Sequence, residues 1–167
     1  MYPLKSLPEV SSLVRLGPPG GVWMMQYKDQ VFYEKLVYWT DETLFDVLSF
    51  HLIQGNPETA LKTPSTVVIT EETARKYFGD ENPMGKIILG DDLMDLTVTG
   101  IMENIPANSH FKGDFFVSIS TIKQYFPWNN LRDEWDSTRF YTYILLSPNA
   151  SLDHLEQQIP TAIEQYL

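Results

Sequence analysis

Three histidines are the first side chains in this 167-residue sequence that could do chemistry. His51, His110 and His154 are far apart along the chain, and none stands in the H-E-x-x-H or H-x-H spacing that is typical of zinc sites. The sequence contains no cysteine and no G-x-S-x-G motif, so thiolate ligands, thiol nucleophiles and the usual serine elbow are all missing. We therefore expect solvated or capping histidines, no metal site and no enzyme activity.

A second candidate is the segment GDENPMGK at residues 79–86, which resembles two ligand-binding loops without matching either. Five residues separate its glycines, where a phosphate-binding loop has four, and Ile87 stands where serine or threonine must reach magnesium. As a calcium loop, the segment fails because Pro83 and Met84 interrupt the ligand series and Asp91 replaces the usual bidentate glutamate. The pattern predicts a turn, with no bound ATP, no calcium and no cofactor.

The third candidate is a group of carboxylates at Asp91, Asp92 and Asp95. Two carboxylates can act as acid and base in a hydrolase, provided that their surroundings separate their pKa values. A short acidic cluster between two strands is more often a solvated hairpin tip, so a small hydrolase is the least favoured function.

Composition excludes several classes of partner. The sequence has 22 acidic and 12 basic residues, a formal net charge of -10, and its basic side chains occur singly or as the pair Arg75 and Lys76. Such a surface repels phosphate backbones and anionic lipid headgroups, so we expect no nucleic acid partner. The sequence has neither a signal-peptide pattern nor an apolar run of membrane-spanning length, which predicts a soluble chain cut from a longer membrane protein.

The residue pattern predicts an α+β fold with strands and interspersed helices. Val22–Tyr27 and Val31–Trp39 indicate a hairpin whose second arm is central, and Thr40 or Asp41 could cap a helix ending near Phe50. A terminal helix capped by Ser151 should break or kink at Pro160. Further strands are expected at 11–16, 86–89, 96–101, 115–119 and 139–146, and a helix at 120–126.

The best-specified local unit is a strand followed by a helix. Thr66–Thr70 is a short apolar strand, and Thr70 can cap a helix that has acidic residues in its first turn and basic residues in its last. Gly79 lies just beyond the helix, where a left-handed residue is favoured. We expect Ala74, Tyr77 and Phe78 to form its buried stripe.

An aromatic stretch between two predicted strands suggests either an interface or a small satellite core. It includes Phe126, Trp128 and Trp135, residue types that often anchor protein interfaces. Tryptophan is also heavily buried on average, which favours the core alternative. We expect at least one of the three rings to be exposed in a contact patch, with a basic partner surface complementing the acidic chain.

From Val67 onward the sequence resembles the MacB-like periplasmic core domain of ABC-transporter permeases. The resemblance includes VVITEETARKYFGDENPMGK at residues 67–86 and, upstream, DETLFDVLSFHLIQG at residues 41–55, and it covers nearly the whole chain. Glycine and proline fix turns, so these positions identify a fold and not an active site. The structural motif residues are Thr70, Gly79, Pro83, Gly85, Gly100, Pro106 and Asn108.

The resemblance implies a single extracytoplasmic domain over residues 1–167, with a mixed sheet and helices in a porter-like lobe and a β-rich sabre-like lobe, and without the terminal strands of the family domain. It implies that a separate ATP-binding subunit or domain moves this domain through the transmembrane helices of the parent permease. A second permease copy or an envelope protein is the expected further partner. Efflux, lipoprotein extraction and hydrolase activation remain open, and the alternative is a stand-alone binding module for a peptide or small ligand.

Overall fold

The structure is a computed structural model that describes residues 3–17, 20–127 and 140–164. It begins with a short 3-10 helix at Pro3–Ser6. The strands are β1 (Val10–Gly17), β2 (Trp23–Tyr27), β3 (Gln30–Glu34), β4 (Val37–Thr40), β5 (Leu52–Gly55), β6 (Thr66–Thr70), β7 (Ile87–Gly90), β8 (Met94–Met102), β9 (Phe115–Ser118) and β10 (Tyr141–Leu146). The helices are α1 (Leu44–Val47), α2 (Glu71–Phe78), α3 (Ser120–Tyr125) and α4 (Leu152–Glu164).

The strands form one large mixed sheet, which confirms the predicted α+β class. In the described part of the chain, neighbouring strands follow the order β10-β1-β4-β9-β6-β8-β7-β2-β3, and β5 adds to β8. The β4–β9 and β6–β8 pairs are parallel and the other pairs are antiparallel. A continuous hydrogen-bonded path therefore links β10 at one edge to β3 at the other.

The centre of this sheet is buried on both faces. Along β6, Val67 and Ile69 belong to one apolar cluster, whereas Val68 belongs to another on the opposite face. The same alternation places Phe115 and Phe116 of β9 in different clusters, because successive strand side chains point to opposite faces. Helix α2 covers the first face and α1 covers the second. Because both faces of the central strands are buried, the sequences of these strands are continuous apolar runs.

The strand–helix unit of β6 and α2 forms as predicted. The Thr70 hydroxyl accepts a hydrogen bond from the Thr73 backbone N–H at 3.3 Å, and Gly79 ends the helix with a φ of 58°. Tyr77 and Phe78 are buried, and Arg75 bonds Glu71 one turn earlier at 2.6 Å. The capping residue, the charged residues and the terminal glycine were sufficient to predict this unit, because they all lie within one short segment.

The prediction for the second arm of the hairpin is wrong in one respect. Residues 31–39 do not form one strand: β3 ends at Glu34 and β4 begins at Val37. Strand β4 is interior, between β1 and β9, but β3 is the last strand of the sheet order. The chain turns away after Glu34 because β4 pairs with β1 and β9 instead of continuing along β2.

The helix predicted to end near Phe50 is also wrong in length. Helix α1 spans only Leu44–Val47 and begins at Thr43 rather than at Thr40 or Asp41. One of the two candidate caps has another role, since the Asp41 carboxylate binds Arg15. The chain becomes extended at Leu48 and then pairs as β5 with β8, which no helix could do.

Helix α4 is capped by Ser151 as predicted, but it does not break at Pro160. The Ser151 hydroxyl accepts from the His154 N–H at 3.3 Å, and the helix continues through Pro160 to Glu164. Leu155 and Ala162 are buried two turns apart, so packing on both sides of the proline outweighs the lost hydrogen bond. Leu152, expected on the apolar side, is 60% exposed. Across the described residues, no helix combines the length and apolar character needed to cross a bilayer.

Candidate functional site

Two adjoining cavities lie beside the loop that follows β8. The first, of about 570 Å³, is lined by the α1–β5 connection and the loop, including Phe50, Glu103, Pro106 and Asn108. The second, of about 390 Å³, lies between the loop and the strands and is lined by Leu16, Tyr38, His110, Phe111, Tyr141 and Tyr143. His110 and Phe111 line both cavities, and we call the combined feature the His110 cleft.

A tight turn positions the side chains of the His110 cleft. The Pro106 carbonyl accepts from the Ser109 N–H at 3.0 Å and from Lys112 Nζ at 2.7 Å. Both bonds draw the loop back on itself, and His110 then reaches Tyr143, with 2.6 Å between the imidazole Nε2 and the phenol oxygen. Pro106 suits this turn because its fixed φ favours the bend that places His110 beside Tyr143.

The floor of the cleft is an aromatic cluster. The Phe111 ring lies 5.8 Å from that of Phe50 and 5.9 Å from that of Tyr38, both edge-on, and Tyr38 stacks on Phe116 at 6.0 Å. Burial raises the pKa of Tyr38, and it raises the pKa of Tyr143 as well. These phenols therefore stay neutral and offer hydrogen bonds and apolar faces instead of titrating.

The rim of the cleft carries few charged groups. His51 Nδ1 lies 3.2 Å from Glu103, and both side chains are well exposed. Throughout residues 3–17, 20–127 and 140–164, no group of three or more His, Asp or Glu is arranged to hold a metal ion. An aromatic, mostly neutral cleft of this kind is suited to holding an apolar side chain or ligand.

The motif residues taken from the sequence fall into structural positions, and only two of them line the cleft. Gly85 has a φ of 76° and donates its N–H to Val98 at 2.8 Å, in a turn that Pro83 also closes. Gly100 lies in β8, where an added Cβ would come within 2.9 Å of Leu52 and 3.0 Å of Val68. Pro106 and Asn108 are the two that line the cleft.

Two residues of the acidic cluster, Asp91 and Asp92, lie in the turn between β7 and β8, whereas Asp95 lies in β8. Asp91 and Asp92 have positive φ values of 50° and 53°, and an Asp91 carboxylate oxygen accepts from the Met24 N–H at 2.8 Å. Asp91 thus fastens the turn to β2. This bracing role is typical of a residue at a hairpin tip.

A buried ionic cluster beneath β3 was missed by sequence reasoning. Glu34 is 7% exposed, and its carboxylate accepts from the Tyr77 hydroxyl and from Lys76 Nζ, each at 2.7 Å. Burial raises the pKa of the neighbouring Asp114, and the carboxylates of Glu34 and Glu72 raise it further. The available signal was Glu34 itself, which shares the inward face of β3 with Phe32.

Asp114→Asn should stabilise the fold at neutral pH by about 2 °C in melting temperature. In the native protein, the folded-state pKa of the Asp114 carboxyl lies above the ordinary 3.8. The folded state therefore binds this proton more tightly than the unfolded state, and the free energy of unfolding falls as the pH rises above 3.8. The amide removes that loss, so the gain should shrink towards pH 4. Thermal unfolding between pH 4 and pH 7 measures it, and Asp80→Asn, an exposed control, should change little. A pH-independent effect at Asp114 would contradict the prediction.

The expected contact residues are only partly covered by the structure. Phe126 is half-buried and packs against the apolar cluster on the α2 face. Trp128 and Trp135 lie outside the described residues. The contact patch therefore stays a prediction.

Comparison with known proteins identifies the fold. The family model described as the MacB-like periplasmic core domain matches residues 5–162, so the chain belongs to this family. It is accordingly an extracytoplasmic domain of the kind carried by MacB/FtsX-type ABC-transporter permeases, and the family is one of permease domains and not a recognised enzyme family. No curated protein matches the sequence.

Three solved structures share the fold. A domain of a protein assigned as a permease in Porphyromonas gingivalis is 23% identical, with a TM-score of 0.79 over 100% of this chain and 70% of the other. The periplasmic region of MacB from Actinobacillus actinomycetemcomitans is 15% identical, with a TM-score of 0.70 over 97% of this chain and 70% of the other. The extracellular domain of the noncanonic ABC-type transporter YknZ from Gram-positive bacteria is 16% identical, with a TM-score of 0.62 over 95% and 73%.

Proposed function

We propose that this domain transmits motion within an ABC transporter. ATP hydrolysis by a separate cytoplasmic subunit or domain moves the transmembrane helices of the parent permease, and these move the domain against a partner outside the cytoplasm. The observation that carries the proposal is the junction between the first and last elements of the described chain, which lie against each other at one edge of the sheet.

The junction is fastened by polar contacts. The Glu9 carbonyl accepts from the Ser147 N–H at 2.8 Å, and the Ser147 hydroxyl donates to the Pro8 carbonyl at 3.0 Å. On α4, the His154 Nδ1–H donates to the Glu9 carboxylate, and this bond holds the pKa of Glu9 below its usual value. Gln158 donates to the other ring nitrogen at 2.8 Å, which fixes the imidazole in place. Motion applied to either segment would therefore reach both.

The sheet supplies the rigid body. Strand β1 begins at the junction and lies second, after β10, in the hydrogen-bonded path that ends at β3. Packed apolar residues on both faces of the central strands resist bending, because protein interiors are close-packed and transmit strain. A body of this kind moves by hinges at its ends.

The test is His154→Ala in the full-length permease, with transport and ATP hydrolysis measured together. We expect transport to fall several-fold while ATP hydrolysis is retained, because the junction loses the bond between α4 and the Glu9 carboxylate, and Glu9 keeps a buried charge. The matched control is His51→Ala, which removes the exposed imidazole beside Glu103, away from the junction. Equal transport by the two variants would refute transmission through the junction, provided that both domains keep their melting temperature.

We also propose that Phe126, Trp128 and Trp135 belong to a surface that contacts the partner. The acidic net charge of -10 favours a partner with a basic surface. Trp128→Ala and Trp135→Ala should weaken transport or partner activation by the full-length permease. Unchanged activity in both variants would leave these residues as packing residues only.

A binding role is the second candidate function, and the His110 cleft favours it. Its aromatic floor and its few convergent polar groups are typical of sites for apolar side chains or small ligands. Tyr143→Phe removes the hydroxyl that meets His110 while keeping the ring. In transport assays a binding role predicts a higher KM with an unchanged maximal rate, whereas pure transmission predicts no change in KM.

A further inference from the structure

The outer edge of β3 has hydrogen-bonding groups in a position to pair with another strand. Tyr27 and Gln30 close a two-residue hairpin loop and form the first hydrogen-bonded pair of the β2–β3 ladder. Antiparallel pairs alternate, so Val31 and Tyr33 occupy the positions that do not bond to β2. Their N–H and C=O groups point away from β2, towards the side on which the sheet order of the described residues ends.

The outward side chains of the same segment form a stripe with opposite charges at its two ends. Val31 and Tyr33 are 43% and 72% exposed, whereas Phe32 and Glu34 face the core. Asp29, in the turn before β3, and Lys35, the first residue after its end, lie two positions beyond this pair on either side, and both are exposed. We call the four residues the β3 stripe. On one side of Phe32 the stripe consists of Val31 and then Asp29, and on the other side it consists of Tyr33 and then Lys35.

We propose that β3 pairs with β3 of a second copy of this chain, antiparallel about a two-fold axis at Phe32. In this register Val31 of one copy faces Tyr33 of the other, and the two residues exchange both backbone hydrogen bonds because both point their groups outward. Asp29, in the turn of one copy, then lies near Lys35, just beyond the end of β3 in the other. The two-fold axis repeats each contact, which gives four backbone bonds, two apolar–aromatic pairs and two ion pairs.

The complementarity of the β3 stripe with itself is what favours a second copy over an unrelated strand. Any exposed strand edge could accept a foreign strand, but an antiparallel copy is already matched in backbone register, in side-chain type and in charge. The overall charge of -10 opposes association, and the two Asp29–Lys35 pairs offset that repulsion where the chains meet. The pairing goes beyond the proposed transmission of motion and does not depend on it.

The register can be tested with cysteines, because the chain has none of its own. We mix a Val31→Cys chain with a Tyr33→Cys chain at millimolar concentration under mild oxidation. The proposed pairing puts these Cα atoms about 5.5 Å apart, within disulfide range, whereas equal positions on the two copies lie roughly 9 Å apart, beyond it. The mixed disulfide should therefore dominate. Mixed and like disulfides in the proportions of random collision, or no disulfide at all, would overturn the proposal.

Charge exchange provides the second test and its own controls. Asp29→Lys and Lys35→Asp should each weaken self-association roughly tenfold in sedimentation, because like charges then face each other twice. The double variant Asp29→Lys with Lys35→Asp should restore it, and a mixture of the two single variants should associate with each other. Net charge alone predicts the opposite for Asp29→Lys, which brings the chain nearer neutrality. If the single and double variants associate equally, the β3 stripe is not the interface.

Discussion

Asp41→Ala is expected to lower the free energy of unfolding by about 3–5 kcal/mol. The Asp41 carboxylate accepts three hydrogen bonds from Arg15: from the backbone N–H and from Nε at 2.9 Å each, and from Nη2 at 2.7 Å. The two side chains are only 11% and 13% exposed. Removing the carboxylate takes the negative charge of Asp41 and its two side-chain hydrogen bonds away from a largely buried guanidinium, and this loss accounts for most of the cost.

Two comparisons separate this cause from a general loss of contacts. Glu71→Ala breaks the Arg75–Glu71 pair, in which the arginine side chain is 71% exposed, and it should cost about 0.5 kcal/mol or less. The double variant Arg15→Met with Asp41→Leu removes both charges and should recover much of the stability. Urea denaturation measures all three. A loss at Asp41 as small as that at Glu71 would show that the buried pair is not stabilising.

The same residue shows where sequence reasoning is limited. Asp41 has the type and position of a helix cap, and the prediction named it, with Thr40, as one of two possible caps. Its partner, Arg15, is 26 residues away on β1, so no local pattern could identify the pair. The unit from Thr70 to Gly79 was predicted correctly because its cap, its charges and its terminal glycine all act within one short segment.

The strands and the cleft show the same limit. Residues 31–39 have strand character throughout, but whether a strand is central depends on its neighbours, and β4 acquires these from β1 and β9. The His110 cleft is built from distant parts of the chain, which include β1, β4, the α1–β5 connection, the loop after β8, and β10. Sequence reasoning found Pro106 and Asn108 through the family motif alone, and it missed Glu34 because a single acidic residue in a strand has no signature until its partners are known.

The close approach of β5 to β8 leads to the last prediction. Gly55 pairs directly with Gly100, and its φ is 107°. An added Cβ would lie 2.6 Å from the Thr99 carbonyl oxygen and 3.0 Å from the Gly100 Cα, which are backbone atoms that cannot rotate away. Gly55→Ala should therefore cost about 4 kcal/mol, the sum of backbone strain and overpacking at roughly 1–3 kcal/mol each.

Gly79→Ala measures the cost of backbone strain alone. Gly79 also has a positive φ, 58°, but its added Cβ would meet nothing within 4 Å. It should cost about 1–2 kcal/mol, and Gly79→Val at least about 1 kcal/mol. Gly20→Ala, with open space around the Cβ and no such φ, should be neutral. Denaturant unfolding of the three alanine variants should therefore rank Gly55 above Gly79 and Gly79 above Gly20. If Gly55→Ala costs no more than Gly79→Ala, β5 does not lie as close to β8 as the Gly55–Gly100 pairing requires.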